Sequence, residues 1–123
     1  MKRDPRISAT EWAIMEVLWT RSPLSSGEIV ESLKGWNQRT VKAFLTRLVK
    51  KGAVGFKEQG KAYAYHPLVG RDACVRRENE AFLERIHGGA LGTMFSSFLD
   101  ARRLSPEEIK ELKKILEEKR SET

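Results

Sequence analysis

Between Asn37 and Gly52 the sequence admits one regular element, and its two sides differ sharply in chemistry. At 100° per residue, Val41, Phe44, Leu45, Leu48 and Val49 fall on one side of a helix over about Gln38–Lys51. Arg39, Ala43, Thr46 and Lys50 fall opposite, flanked by Lys42 and Arg47. Asn37 suits the N-cap of this helix, and Gly52 suits the left-handed residue just past its end. Directly before it, Ser25 and Glu28 form a Ser-x-x-Glu capping box that opens a short helix with Ile29, Val30 and Leu33 inward. Gly35-Trp36-Asn37 is the turn between the two helices. A short helix, a tight turn with glycine and a longer amphipathic helix with a basic outer face is the pattern of a helix-turn-helix. The same pattern fits a helical pair whose basic face is merely solvated.

The flanking segments narrow that choice. Upstream, Ser8 and Glu11 form another capping box, with Ile7 placed as a staple residue. The helix that follows carries Trp12, Met15, Leu18 and Trp19 on one stripe, with Ile14 and Val17 off it. A helix apolar most of the way round belongs at the centre of a core. Ser22-Pro23 ends it. Downstream, Val54–Glu58 and Lys61–Tyr65 read as strands joined by Gln59-Gly60. That loop would pair Phe56 with Tyr63 and Val54 with Tyr65, leaving Gly55, Lys57, Ala62 and Ala64 on the other face. Pro67 closes the second strand. A hairpin directly after a helix-turn-helix is a wing, and Lys61 at its tip can reach a backbone phosphate.

After residue 70 the pattern is helical again. A helix from about Asp72 to His87 sets Val75, Asn79, Phe82 and Ile86 at 4-3-4 spacing, and Gly88-Gly89 breaks it. The next carries Leu91, Met94, Phe95, Phe98 and Leu99. In the last, Ser105 is the cap, Pro106 sits at N1 and Glu108 completes a third capping box. Ile109, Leu112 and Leu116 line this helix with Ile115 beside them, and the charged tail from Glu117 is expected to fray. The fold class is therefore mainly α with a small β-hairpin wing. Residues 1–70 are expected to form a winged-helix DNA-binding domain and residues 71–123 a helical dimerisation domain.

A helical module that small buries too little apolar surface alone. Its Val75, Phe82, Ile86, Leu91, Met94, Phe95, Phe98, Leu99, Ile109, Leu112 and Leu116 are expected to meet a second copy of the chain. The alternative is folding back on its own winged helix. Asn79 on this seam is either a polar register residue or simply exposed.

Charge is placed as unevenly as hydrophobicity. The 123 residues carry a net charge of +6. Residues 1–69 hold 12 basic and 6 acidic side chains, residues 70–123 hold 11 of each, and residues 39–61 hold 7 basic side chains against Glu58 alone. Basic charge concentrated in one stretch points to a polyanion. Enzyme chemistry finds no footing, since no Ser/His/Asp or Cys/His set, phosphate loop or His-Glu-x-x-His is present. The single cysteine, Cys74, makes neither an internal disulfide nor a cysteine metal site, and reads as a small core residue in preference to a thiol sensor. His66 reads as a strand-end residue and His87 as a helix C-terminal one; no metal or cofactor is expected. The basic start, Met1 to Arg6, is followed by no secretory apolar region, and no apolar run approaches membrane length, so a soluble cytoplasmic protein is expected.

Several motifs in fixed order carry a resemblance over nearly the whole chain. They are Glu11-Trp12-x-x-Met15-x-x-Leu18-Trp19, then Thr40-Val41-Lys42-x-x-Leu45-x-Arg47-Leu48-x-Lys50-Lys51-Gly52. Gly60-Lys61-Ala62-Tyr63-x-Tyr65-x-Pro67-Leu68-Val69, Phe82-Leu83-Glu84-Arg85 before Gly88-Gly89, and Leu104-Ser105-Pro106-Glu107-Glu108 follow. In these the sequence resembles the penicillinase-repressor (BlaI/MecI) family of winged-helix regulators. The resemblance implies a homodimeric repressor that covers a pseudo-palindromic operator of a resistance or stress operon. It also implies release by a membrane sensor metalloprotease that cleaves the dimerisation domain. The family often has an Asn-Phe bond there; this chain has Ser97-Phe98. Release by a small ligand, or constitutive repression, are the competing expectations. The paired C-terminal cysteines of copper-responsive relatives are missing.

Within such a domain the helix faces assign roles. Arg39 can offer a bidentate fork to guanine, Thr46 a hydroxyl and Ala43 a methyl contact with thymine. Family members commonly have Thr where this chain has Ala43. Lys42, Arg47 and Lys50 are better placed for phosphate, with Thr40 and Lys61 as further backbone candidates. Trp36 stays open between packing under the helix pair and touching the backbone of DNA. A rival of another class is a protein-interaction adaptor whose basic wing docks an acidic partner, without sequence-specific DNA binding.

Overall fold

Three of the six helices begin where a serine and a glutamate satisfy each other's backbone donors. In the computed structural model, which describes residues 5–122, the order is α1 (Ala9–Thr20), α2 (Ser26–Ser32), α3 (Gln38–Lys51), β1 (Val54–Gln59), β2 (Ala62–Pro67), α4 (Arg71–His87), α5 (Leu91–Ala101) and α6 (Pro106–Ser121). Ser8, Ser25 and Ser105 each accept from the backbone N–H of Glu11, Glu28 and Glu108, and each glutamate accepts the serine's own N–H in return. Asn37 caps α3 through Thr40 N–H at 2.8 Å, and Gly52, at φ 82°, ends it in the left-handed region. Of the basic start expected over Met1–Arg6, residues 1–4 lie outside the described residues.

The chain divides into two compact units, Met1–Ala81 and Phe82–Thr123. In the first, Ile14, Met15 and Leu18 of α1 meet Ile29 of α2 and Val41, Leu45 and Leu48 of α3, all buried. Ala53 and Val54 close this core from the hairpin, and Cys74 of α4 is buried in it too. Trp19 Nε1 donates to the Val69 carbonyl at 2.9 Å, and Arg71 pairs with Glu16 at 3.0 Å. The first turns of α4 are thus part of the winged-helix core, which reaches past Gly70 to Ala81. Trp36 is half-buried and packs its ring 6.1 Å from that of Phe44, beneath the helix pair.

The hairpin departs from its expected register by two residues. Phe56 faces Tyr65, Val54 faces Pro67 and Gln59 faces Ala62, so the loop is Gly60-Lys61 rather than Gln59-Gly60. The cause is conformational. The turn needs its positive φ at the first loop position, and Gly60 supplies it at 64°. Because side chains alternate with period two, a shift of two keeps every residue on its expected face. Phe56, Tyr63 and Tyr65 accordingly cluster, with Phe56 and Tyr63 ring centroids 4.7 Å apart. On the opposite face His66 lies across from Gly55, where a Cβ would stand 2.8 Å from its Nε2. A side chain at residue 55 would have to displace that ring.

In the second unit the rings of Phe82 and Phe98 stack at 6.1 Å, with His87 edge-on to both. Neither α5 nor α6 buries a single side chain. The tail from Glu117, expected to fray, is instead helical to Ser121. Glu117 and Arg120 lie on one face as an i,i+3 ion pair, and Lys119 and Arg120 in the last turn complement the negative end of the helix dipole. Among the described residues no helix is long and apolar enough to cross a membrane.

Candidate nucleic-acid interface

With Val41, Leu45 and Leu48 turned into the core, α3 must present its other side to solvent. Arg39, Lys42, Ala43, Thr46, Arg47 and Lys50 are all exposed on it, and Thr40 is half-buried beside the Asn37 cap. Lys61 is exposed in the two-residue loop of the wing. Among the described residues no carboxylate lies within ion-pair distance of Arg39, Lys42, Arg47, Lys50 or Lys61. These cations therefore keep their charge uncompensated, as an anion-binding surface requires.

Two of the side chains are partly committed. The Thr46 hydroxyl donates to the Lys42 carbonyl at 2.9 Å, leaving its oxygen as an acceptor rather than a free donor. The Arg47 guanidinium lies over the Phe44 ring, 5.2 Å from its centroid, which restricts its rotamers without neutralising it. Helical periodicity by itself places Phe44 on the core side. Its i,i+3 spacing from Arg47 was the available signal for this second role. Gln38 at the start of α3 donates to the Ser26 hydroxyl, joining the two helices across their turn.

Lys51 differs from its basic neighbours. It bonds the Glu11 carboxylate, which is 2% exposed, and the Arg6 carbonyl at 3.0 Å. Burial pushes the Glu11 carboxyl up, but the Lys51 ammonium and Ser8 outweigh it and hold the group below the ordinary 4.5. Glu78 of α4 is also held low, chiefly by its hydrogen bonds from the Arg6 guanidinium.

The dimerisation candidates divide between the units. Phe95, Leu99, Ile109, Leu112 and Leu116 line one apolar groove of about 370 Å³ in the second unit. Ile86, Leu91 and Phe98 are also about half exposed there, while Phe82 and Met94 are half-buried. Val75 belongs to the first unit, half-buried next to Cys74, and Asn79 is exposed. Ser97 and Phe98 lie inside α5, a helix whose N-cap, Ala90, makes no side-chain hydrogen bond.

A short helix and turn leading to a helix with an unpaired cationic face, followed at once by a lysine-tipped hairpin, define a winged helix-turn-helix regulator. A family model described as penicillinase repressor matches residues 7–118. The chain belongs to the penicillinase repressor family, a family of transcriptional repressors rather than enzymes. It is 36% identical over 121 residues to the penicillinase repressor of Bacillus licheniformis, covering 96% of this chain and 94% of that one. It is 30% identical over 116 residues to the methicillin resistance regulatory protein MecI of Staphylococcus aureus, covering 92% and 94%. The solution structure of the DNA-binding domain of the repressor BlaI is similar at a TM-score of 0.53 and 32% identity, covering 59% of this chain and 93% of that one.

Proposed function

We propose that this chain represses transcription as a cytoplasmic homodimer seated on a pseudo-palindromic operator. The observation that carries the reading is the unpaired cationic face of α3, continued by Lys61 on the wing. The similarity to a BlaI DNA-binding domain supports it. α3 enters the major groove, with Arg39, Ala43 and Thr46 toward bases and Lys42, Arg47, Lys50 and Lys61 toward phosphate. Two copies meet through the second unit, where α5 and α6 bury nothing of their own. The relatives' names support a resistance operon as the target.

Selection from a randomised duplex pool tests the reading. A repressor enriches one two-fold-symmetric sequence, whereas an adaptor with a basic wing retains every duplex weakly and alike. On the selected operator, Arg39→Ala should cost about 1–3 kcal/mol per half-site and relax discrimination at one base position. Lys50→Ala should weaken matched and mismatched duplexes by the same factor. Interchangeable effects of the two changes would overturn the assignment of the helix faces.

Release from the operator is proposed to follow cleavage between Ser97 and Phe98 by a membrane sensor metalloprotease. The family resemblance supports the route, and α5, solvent-exposed and without a side-chain N-cap, is the kind of helix that opens locally. The cut separates Ile109, Leu112 and Leu116 from the rest of the subunit, side chains worth about 1.5–3 kcal/mol each on full burial. Coexpression with such a peptidase and a β-lactam should give fragments ending at Ser97 and beginning at Phe98 by mass spectrometry. Intact protein under full induction would sink the cleavage route and leave the repressor reading standing.

A further inference from the structure

Seven basic residues fall between positions 39 and 61, and among the described residues Lys51 alone of them is ion-paired. Lys51 sits at the C-terminal end of α3, where its ammonium bonds the Glu11 carboxylate of α1 and the Arg6 carbonyl. Glu11 is the buried charged residue of the described core, and it also accepts the Ser8 N–H that starts α1. Arg6 in turn holds Glu78 of α4 through Nε at 2.9 Å and Nη2 at 3.1 Å. One junction therefore joins the end of α3, the start of α1 and the middle of α4, all within the first compact unit.

We infer that Lys51 is a positioning residue for operator recognition and not a phosphate contact: it anchors the C-terminal end of α3 to the α1–α4 junction. The inference rests on the repressor reading above. Moving Lys51 onto a phosphate would strip a buried carboxylate of its counter-charge, a loss that one more exposed phosphate contact does not offset. Lys50, one residue away, has no ion-pair partner among the described residues and is free for that task. The leverage lies in the length of the helix. Arg39 stands twelve residues before Lys51, about 18 Å along the axis, so a tilt of about 5° pivoting at Lys51 carries it by about 1.6 Å. That exceeds the roughly 0.5 Å window over which a hydrogen bond to a base edge holds its geometry.

The test compares full-length Lys51→Met with Lys50→Met. Both are titrated with the duplex that the unaltered protein selects and with its shuffled counterpart, over a range of salt. Each cation withdrawn from phosphate should lower the slope of log K against log salt by about 0.9 per half-site. Lys50→Met is expected to show that drop, with the ratio of selected to shuffled affinity unchanged. Lys51→Met is expected to keep the slope of the unaltered protein and to lose about tenfold in that ratio, a change that a lysine bound only to phosphate does not produce. Because Lys51→Met leaves Glu11 without its partner, the pair Glu11→Gln/Lys51→Met is measured as well. It removes the orphaned charge together with the tether, and it should show the same retained slope and reduced ratio. A slope that falls as in Lys50→Met, or a ratio within twofold of the original in the folded double variant, overturns the inference and leaves the repressor reading intact. An unaltered protein that shows no preference between the two duplexes overturns both.

Discussion

Raising salt from 50 to 200 mM is expected to weaken operator binding by about 10⁴. Lys42, Arg47, Lys50 and Lys61 are exposed and unpaired in each subunit, which gives about eight phosphate contacts in a dimer and a slope near −7. The exposed carboxylates of the second unit do not reduce this number, because the acidic and basic side chains of residues 82–123 balance at 8 each. Fluorescence anisotropy of a labelled operator over that range measures the slope. A loss below about tenfold on every duplex would remove the electrostatic basis of the assignment, whatever the identity of the base contacts.

A fragment ending at Ala81 should be monomeric and should bind the operator about 10²–10⁴-fold more weakly than the whole chain. The cut is placed there and not at Gly70 because Cys74 is fully buried in the first unit and Glu78 is bonded to Arg6. A fragment ending at Gly70 would also remove Cys74 from the core and Glu78 from Arg6, and so confound the two effects. With one half-site occupied at a time, the fragment's salt slope should also be about half that of the dimer. Sedimentation equilibrium of both proteins decides the first statement and parallel titrations decide the second. A dimeric 1–81 fragment would move the interface out of the second unit.

What the sequence reveals about this molecule is mostly what is local. Ser8 with Glu11, Ser25 with Glu28 and Ser105 with Glu108 define helix starts from three residues apart, and Asn37 and Gly52 bracket α3 within one short segment. The cationic face of α3 was legible for the same reason, since helical periodicity alone separates it from Val41, Leu45 and Leu48. The wing register is not legible in the same way, because the sequence allows glycine the second loop position where the turn places it first. Faces are unaffected because the side-chain period in a strand is two. Nothing local announces the bond from Lys51 to Glu11, 40 residues away, or from Arg6 to Glu78, 72 residues away. Those partners are chosen by how whole helices pack. Cys74, read from the sequence as a small core residue, is buried in the winged-helix core.

Neither α5 nor α6 buries a side chain, and on the proposed reading the second unit completes its core with a second copy of the chain. A regulator built this way measures its own abundance. Where most subunits are single, the number of pairs rises with the square of the number of chains, so halving synthesis removes about three quarters of the operator-competent species. Single chains, with Leu91, Phe98 and Leu116 bare, are also the form that proteases and aggregation remove first. Small changes in gene dosage or turnover therefore reach the promoter steepened. On the proposed cleavage route, a burst of cleavage would deplete pairs faster than chains, because each cut chain would disable an intact partner.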